Sequence, residues 1–97
     1  MNMQNLMAQA QRMQRDIMKK KEEVEKQIFE GESELVKVTV NGKKELIKVV
    51  FNDGVTLDDL EILQDMVVIA TNKAFEKVDN AMENAMGQYG SMFNGLF

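Results

Sequence analysis

The spacing of apolar residues changes its period twice along the chain, and few folds accommodate that. Toward the N-terminus Met3, Leu6, Ala10, Met13, Ile17, Val24 and Ile28 recur mostly at steps of three and four, with one interruption at Lys20. That repeat belongs to an amphipathic helix, here predicted from about Asn2 to about Gln27. At ~1.5 Å per residue such a rod is nearly 40 Å long, more than a domain this small can cover. After Ile28 the repeat shortens to two. In LVKVTVNGKKELIKVVF, apolar and polar positions alternate on both sides of Asn41-Gly42, the mark of a β-hairpin with one covered face. From Leu60 the helical step returns through Leu63, Val67, Ala70, Ala74, Val78, Ala81 and Ala85.

The order is therefore helix, two or three antiparallel strands, helix, within a single domain of 97 residues. Asn-Gly favours a two-residue type I′ turn, which sets Val40 opposite Lys43, Val38 opposite Glu45 and Val36 opposite Ile47. Val36, Val38, Val40, Ile47, Val49 and Phe51 then share one face, and Lys37, Thr39, Lys44 and Lys48 the other. QIFEGESE supplies a shorter first strand with a turn at residues 31–34. Thr56, three residues before Asp59, is the expected N-cap of the second helix. Asp58, Asp59 and Glu61 suit the positive end of its dipole. The glycine-spaced segment 87–97 is expected to be mobile.

Two or three strands under one helix bury little, and the apolar surface of the second helix widens at MVVIA, residues 66–70. A homodimer is the economical cover. Leu63, Met66, Val67, Val68 and Ile69 are the residues expected to meet the second copy, with the sheet edges hidden in the process.

Composition narrows the chemistry. Cysteine and histidine are both absent, so there is no disulfide, no thiolate or imidazole metal ligand, and no Ser/His/Asp or Cys/His arrangement. Placing Gly54 at the obligatory glycine of a calcium loop puts Val49, Phe51 and Leu60 in ligand slots, and these cannot coordinate. No glycine-rich phosphate loop occurs. The expectations are no catalytic residue, no metal, no cofactor, no small-molecule substrate and no enzymatic activity. MVVIA is also the longest apolar run, far below the ~20 residues of a membrane span, and the N-terminus lacks a secretory apolar core. A cytoplasmic protein that does not engage membranes is the expectation.

Charge is segregated. The formal net charge is −4, yet residues 1–21 hold five basic side chains (Arg12, Arg15, Lys19, Lys20, Lys21) against Asp16, a balance of +4. The other 76 residues hold seven basic against fifteen acidic side chains, a balance of −8. At ~100° per residue, Arg12, Arg15, Lys19 and Lys26 fall within about 60° of one another, opposite the Leu6/Met13/Ile17/Val24 seam. In many proteins such a stripe is only a solvated face, here helped by an expected Lys19–Glu23 pair at i,i+4. It is also the footprint that a polyanion requires, because beyond about 8 Å in physiological salt local charge outweighs net charge. Lys73 and Lys77, one turn apart on the second helix, are weaker candidates. Nine methionines support packing or, alternatively, an adaptor that binds protein partners through methionine-rich helices without touching DNA.

The order of MAQAQRMQRDIMKKKEEV, GES…LVKVTVNG, LEILQDMVVIATNKAFEKV and a terminal MFNGLF resembles the YbaB/EbfC nucleoid-associated proteins of bacteria. The resemblance implies an α+β fold, α-β-β-β-α with a small antiparallel sheet and long N- and C-terminal helices, assembled as a tweezer-like homodimer. It also implies double-stranded DNA as the partner, bound in the nucleoid with little sequence preference. The residues it points to are Arg12, Arg15, Lys19, Lys20 and Lys21 on the first helix, with Lys73 and Lys77 on the second. With no aromatic platform for stacking, backbone contact to a duplex is favoured over single-strand binding.

Overall fold

The computed structural model describes residues 2–87, so the expectation of a mobile tail falls almost wholly outside the described residues. The order is α1 (Met3–Glu25), β1 (Ile28–Glu32), β2 (Val36–Asn41), β3 (Leu46–Phe51), one 3-10 turn (Leu57–Asp59) and α2 (Leu60–Met86). This is the α+β arrangement expected. Asn2 caps α1 by accepting the Gln4 N–H at 3.0 Å. No glycine or proline interrupts α1, so it runs unbroken to Glu25. Thr56, expected to cap α2, instead caps the 3-10 turn ahead of it, where the Asp59 carboxylate accepts the Thr56 N–H at 2.8 Å.

The sheet is an antiparallel meander in the order β1-β2-β3. α2 lies across β1 and β2. Its Leu63, Ala70, Ala74 and Val78 form the core with Val36, Val38 and Val40 of β2, and Phe29, Leu35, Val55, Met66, Val67 and Phe75 pack around them. Leu60, expected on this stripe, is half exposed.

Two glycines explain where the elements meet. Gly31 was expected in a turn but lies inside β1, opposite Val38. A Cβ there would strike the Ala70 carbonyl oxygen and come within 2.7 Å of the Ala74 nitrogen. Glycine against two alanines lets the strand and helix backbones touch. The turn follows at Ser33, whose N–H reaches Val36 O at 2.9 Å and whose hydroxyl donates to Met66 O at 2.9 Å.

The second hairpin differs from the expected two-residue turn. Asn41 N–H donates to Glu45 O at 3.1 Å and Lys44 N–H to Asn41 O at 3.0 Å, closing a three-residue loop. The positive φ, 61°, falls on Lys44 and not on Gly42. Val40 pairs with Leu46, Val38 with Val49 and Val36 with Phe51, with an irregularity between Thr39 and Val40 that leaves Ile47 as the extra residue. Relative to the expected pairing, Val36 and Val38 are displaced by four residues and Val40, beyond the irregularity, by three. An even displacement preserves the face, so Val36, Val38, Val49 and Phe51 still point the same way.

The molecule is 70 Å long and 22 by 14 Å across. Its radius of gyration is 19.0 Å, against about 12–13 Å for a compact chain of this length. α1 is the reason: of its 23 residues Val24 alone is buried, and α1 meets the body mainly through α2.

Candidate nucleic-acid interface

α1 presents its charges as its sequence demands. Arg12, Arg15, Lys19 and Lys26 are all exposed, while the half-buried positions of this helix include Met13, Ile17 and Lys20 beside buried Val24. Arg12 to Lys26 spans about 21 Å of helix axis. None of the four takes part in a salt bridge among the described residues, and the expected Lys19–Glu23 pair does not form. Instead Lys20 pairs with Asp16 at 3.3 Å. Lys21 is exposed and sits well away from the stripe on the helical wheel.

The fold adds one cation that spacing along the chain did not reveal. Lys43, on the β2–β3 loop, lines an open notch with Lys26, Glu22 and Glu25. It thereby stands beside the last residue of the stripe, while the two glutamates bound how far the positive surface spreads. Seventeen residues separate Lys26 from Lys43 in the chain, so only the docking of α1 on the loop brings them together.

The second helix is different. Lys73 is exposed. Lys77 Nζ donates to Glu30 O of β1 at 2.7 Å, so its ammonium is tied to the sheet. Between Val78 and Gly87 the charged residues are Asp79 and Glu83, with no lysine or arginine. Asp79 is paired with Lys44 of the hairpin loop. On β2, Lys37 lies 3.0 Å from Glu30 and 3.8 Å from Glu32. The Glu30 hydrogen bond, then its charge, hold the Lys37 ammonium above the usual lysine range.

Of the residues expected at a subunit contact, Leu63 is 3% exposed and belongs to the chain's own core, and Met66 and Val67 pack against that core. Val68 and Ile69 are exposed. The larger apolar surface is β3, exposed along its whole length among the described residues. Opposite the fully buried Val36 and Val38, Phe51 is 47% and Val49 38% exposed, and Leu46, Ile47 and Val50 are exposed as well. Alternation identified the face but not the absence of a cover.

Among the described residues no three acids come together as a metal site, and no helix is long and apolar enough to cross a membrane. A basic, exposed, elongated helix carried on an acidic body is the prominent charged feature. The sequence model of the YbaB/EbfC DNA-binding family matches residues 1–93. The chain belongs to this family. A nucleoid-associated protein of Streptococcus suis (strain 05ZYH33) is 42% identical over 92 residues, covering 92% of this chain and 93% of that protein. One from Halalkalibacterium halodurans is 45% identical over 47 residues, so the match spans 46% of each. The fold matches the crystal structure of an uncharacterized protein from Helicobacter pylori with a TM-score of 0.72 at 24% identity, over 100% of this chain and 99% of that one.

Proposed function

We propose that this chain is a nucleoid-associated protein that binds double-stranded DNA as a homodimer, mainly through phosphate contacts and with little sequence preference. The observation that carries the reading is the exposed row Arg12–Arg15–Lys19–Lys26 on a projecting helix, which forms no salt bridge among the described residues, together with membership of a DNA-binding family. Each cation that meets a phosphate releases a condensed counterion, and the entropy of that release drives binding. Sequence is read only weakly by such contacts, because phosphates are alike at every step. The acids elsewhere keep the protein soluble and confine attraction to the arm. The reading places the protein in the nucleoid of a bacterial cytoplasm and assigns it no catalysis.

The dimer is supported by the uncovered strand. An edge strand with exposed Leu46, Ile47, Val49, Val50 and Phe51 is an aggregation hazard unless something covers it. A second copy does so symmetrically, with Val68 and Ile69 of α2 as further exposed apolar residues. Two copies also present two arms, which raises affinity through effective concentration.

The test is titration of a random-sequence duplex at several salt concentrations. Four neutralised phosphates predict a slope of log K against log[salt] near −3.6. Salt-independent binding, or none at low salt, rejects the reading. A second reading has its own support: Met3, Met7 and Met18 on α1 are 75%, 59% and 54% exposed, as a methionine-rich surface for a protein partner requires. A stoichiometric partner recovered after nuclease treatment, with no duplex shift, decides for that adaptor role.

A further inference from the structure

We infer that the β2–β3 loop, residues 41–45, is a socket that fixes the direction of α1, so that Asn41 and Gly42 control DNA binding without touching DNA. The inference rests on the DNA-binding reading and adds to it a pair of positioning residues. α1 has one buried residue, Val24, at its C-terminal end. A rod held at one end is aimed by whatever holds that end.

Besides α2, against which α1 packs, the loop holds that end. Gly42 is buried, and a Cβ on it would strike the Val24 carbonyl oxygen and lie 2.6 Å from Glu25 Cα. The Gly42 N–H donates to Gln27 O at 3.1 Å, just past the end of the helix. The φ of Gly42 is not in the left-handed region, so glycine serves here for the close approach of two backbones. The other side of the loop is fixed to α2 by the Lys44–Asp79 pair. Asn41 keeps the loop in shape. Its Oδ1 accepts the N–H groups of Lys43 at 2.9 Å and Glu45 at 3.0 Å, and its Nδ2 donates to Glu45 Oε1 at 2.9 Å. These bonds favour the local conformation that carries Lys44 at positive φ.

Leverage makes the socket matter. Arg12 lies twelve residues from Val24, about 18 Å along the axis, so a rotation of ~20° at the base moves Arg12 by about 6 Å. That is enough to take a cation out of phosphate contact. The same contacts set Lys43 beside Lys26.

The experiment reads arm direction and DNA binding separately. Because the chain has no cysteine, spin labels go only where they are placed: Met7→Cys on the arm and Lys48→Cys on β3, diluted with unlabelled chain so that only intrachain pairs are read. The expected result is one narrow distance in the otherwise native chain, and a shifted or broadened one with Gly42→Ala. The same substitution is expected to weaken duplex binding about tenfold and to flatten its salt slope, since fewer phosphates are met at once. Asn41→Ala is the milder variant should Gly42→Ala fail to fold, and Asn41→Asp combined with Glu45→Gln, which retains the Oδ acceptors and exchanges the amide and carboxylate of the 2.9 Å side-chain bond, should restore the native distance and affinity to within about twofold. An unchanged distance in both Gly42→Ala and Asn41→Ala overturns the socket, as does a changed distance with unchanged DNA affinity. If the native chain binds no duplex, the DNA-binding reading fails and the inferred control of binding fails with it, while the distance still decides whether the loop aims the arm.

Discussion

The two long helices are built for opposite ends. α2 buries Leu63, Ala70, Ala74, Val78 and Met86, and one of its lysines, Lys77, is tied to a strand carbonyl. α1 buries only Val24, and its stripe of Arg12, Arg15, Lys19 and Lys26 makes no ion pair among the described residues. One helix supplies stability by giving up its surface to the sheet, and the other keeps its surface exposed, as the proposed DNA contact requires. Mutations should therefore divide cleanly: changes under α2 alter stability, and changes along α1 alter DNA binding.

The largest expected effect is at the contact that lets α2 approach the sheet. Gly31→Val forces a side chain against the Ala70 carbonyl and the Ala74 backbone and should cost about 3 kcal/mol or more, read from the urea midpoint at fixed protein concentration. Tolerance of valine there would mean that α2 is not the rigid half. Next is the uncovered strand. Val49→Lys with Phe51→Lys should convert the proposed dimer to monomer in sedimentation velocity, and affinity for a long duplex should fall by about 10²-fold as avidity is lost. A dimer that survives both charges would place the subunit contact elsewhere.

Smaller effects sharpen the contrast between lysines. Lys77→Ala removes one exposed hydrogen bond to Glu30 O and should lower stability by about 0.5 kcal/mol, leaving duplex affinity within about twofold of native. A large loss of affinity would bring α2 into the DNA interface. The smallest effect is at Lys37. Its folded-state pKa is raised above 10.5, first by the Glu30 hydrogen bond. Its contribution to stability is therefore fully present below the unfolded value and is lost as pH rises through the folded one. A side-chain NMR titration of Lys37 should give a higher midpoint in the folded than in the unfolded chain, and Lys37→Met should flatten the stability profile in that alkaline window.

The helices were legible because their signals are local. The expected span of α1, Asn2 to Gln27, exceeds the observed Met3–Glu25 by one residue at the start and two at the end, and Thr56 with Asp59 marked the approach to α2. The hairpin register was not legible, because Asn41-Gly42 was read as a turn that needs positive φ. Gly42 is instead required by Val24, eighteen residues away, and the strained φ falls on Lys44. The assignment of Val36, Val38, Val49 and Phe51 to one face survived because strand periodicity is blind to a displacement by an even number. Within the charged site, the exposure of Arg12, Arg15, Lys19 and Lys26 followed from the helical wheel, while Lys43 at the foot of the stripe and the tethering of Lys77 depend on tertiary contacts that spacing cannot encode.

The central claim is that the α1 stripe grips the phosphate backbone, and charge reversal tests it most directly. Arg12→Glu, Arg15→Glu and Lys19→Glu, combined in one chain, lie on an exposed face and should change stability by no more than about 0.5 kcal/mol each. With fold and oligomeric state confirmed, duplex affinity should drop by at least about 10²-fold and the salt slope should collapse from near −3.6 toward about −0.9. Native affinity and an unchanged slope in that triple variant would contradict the account.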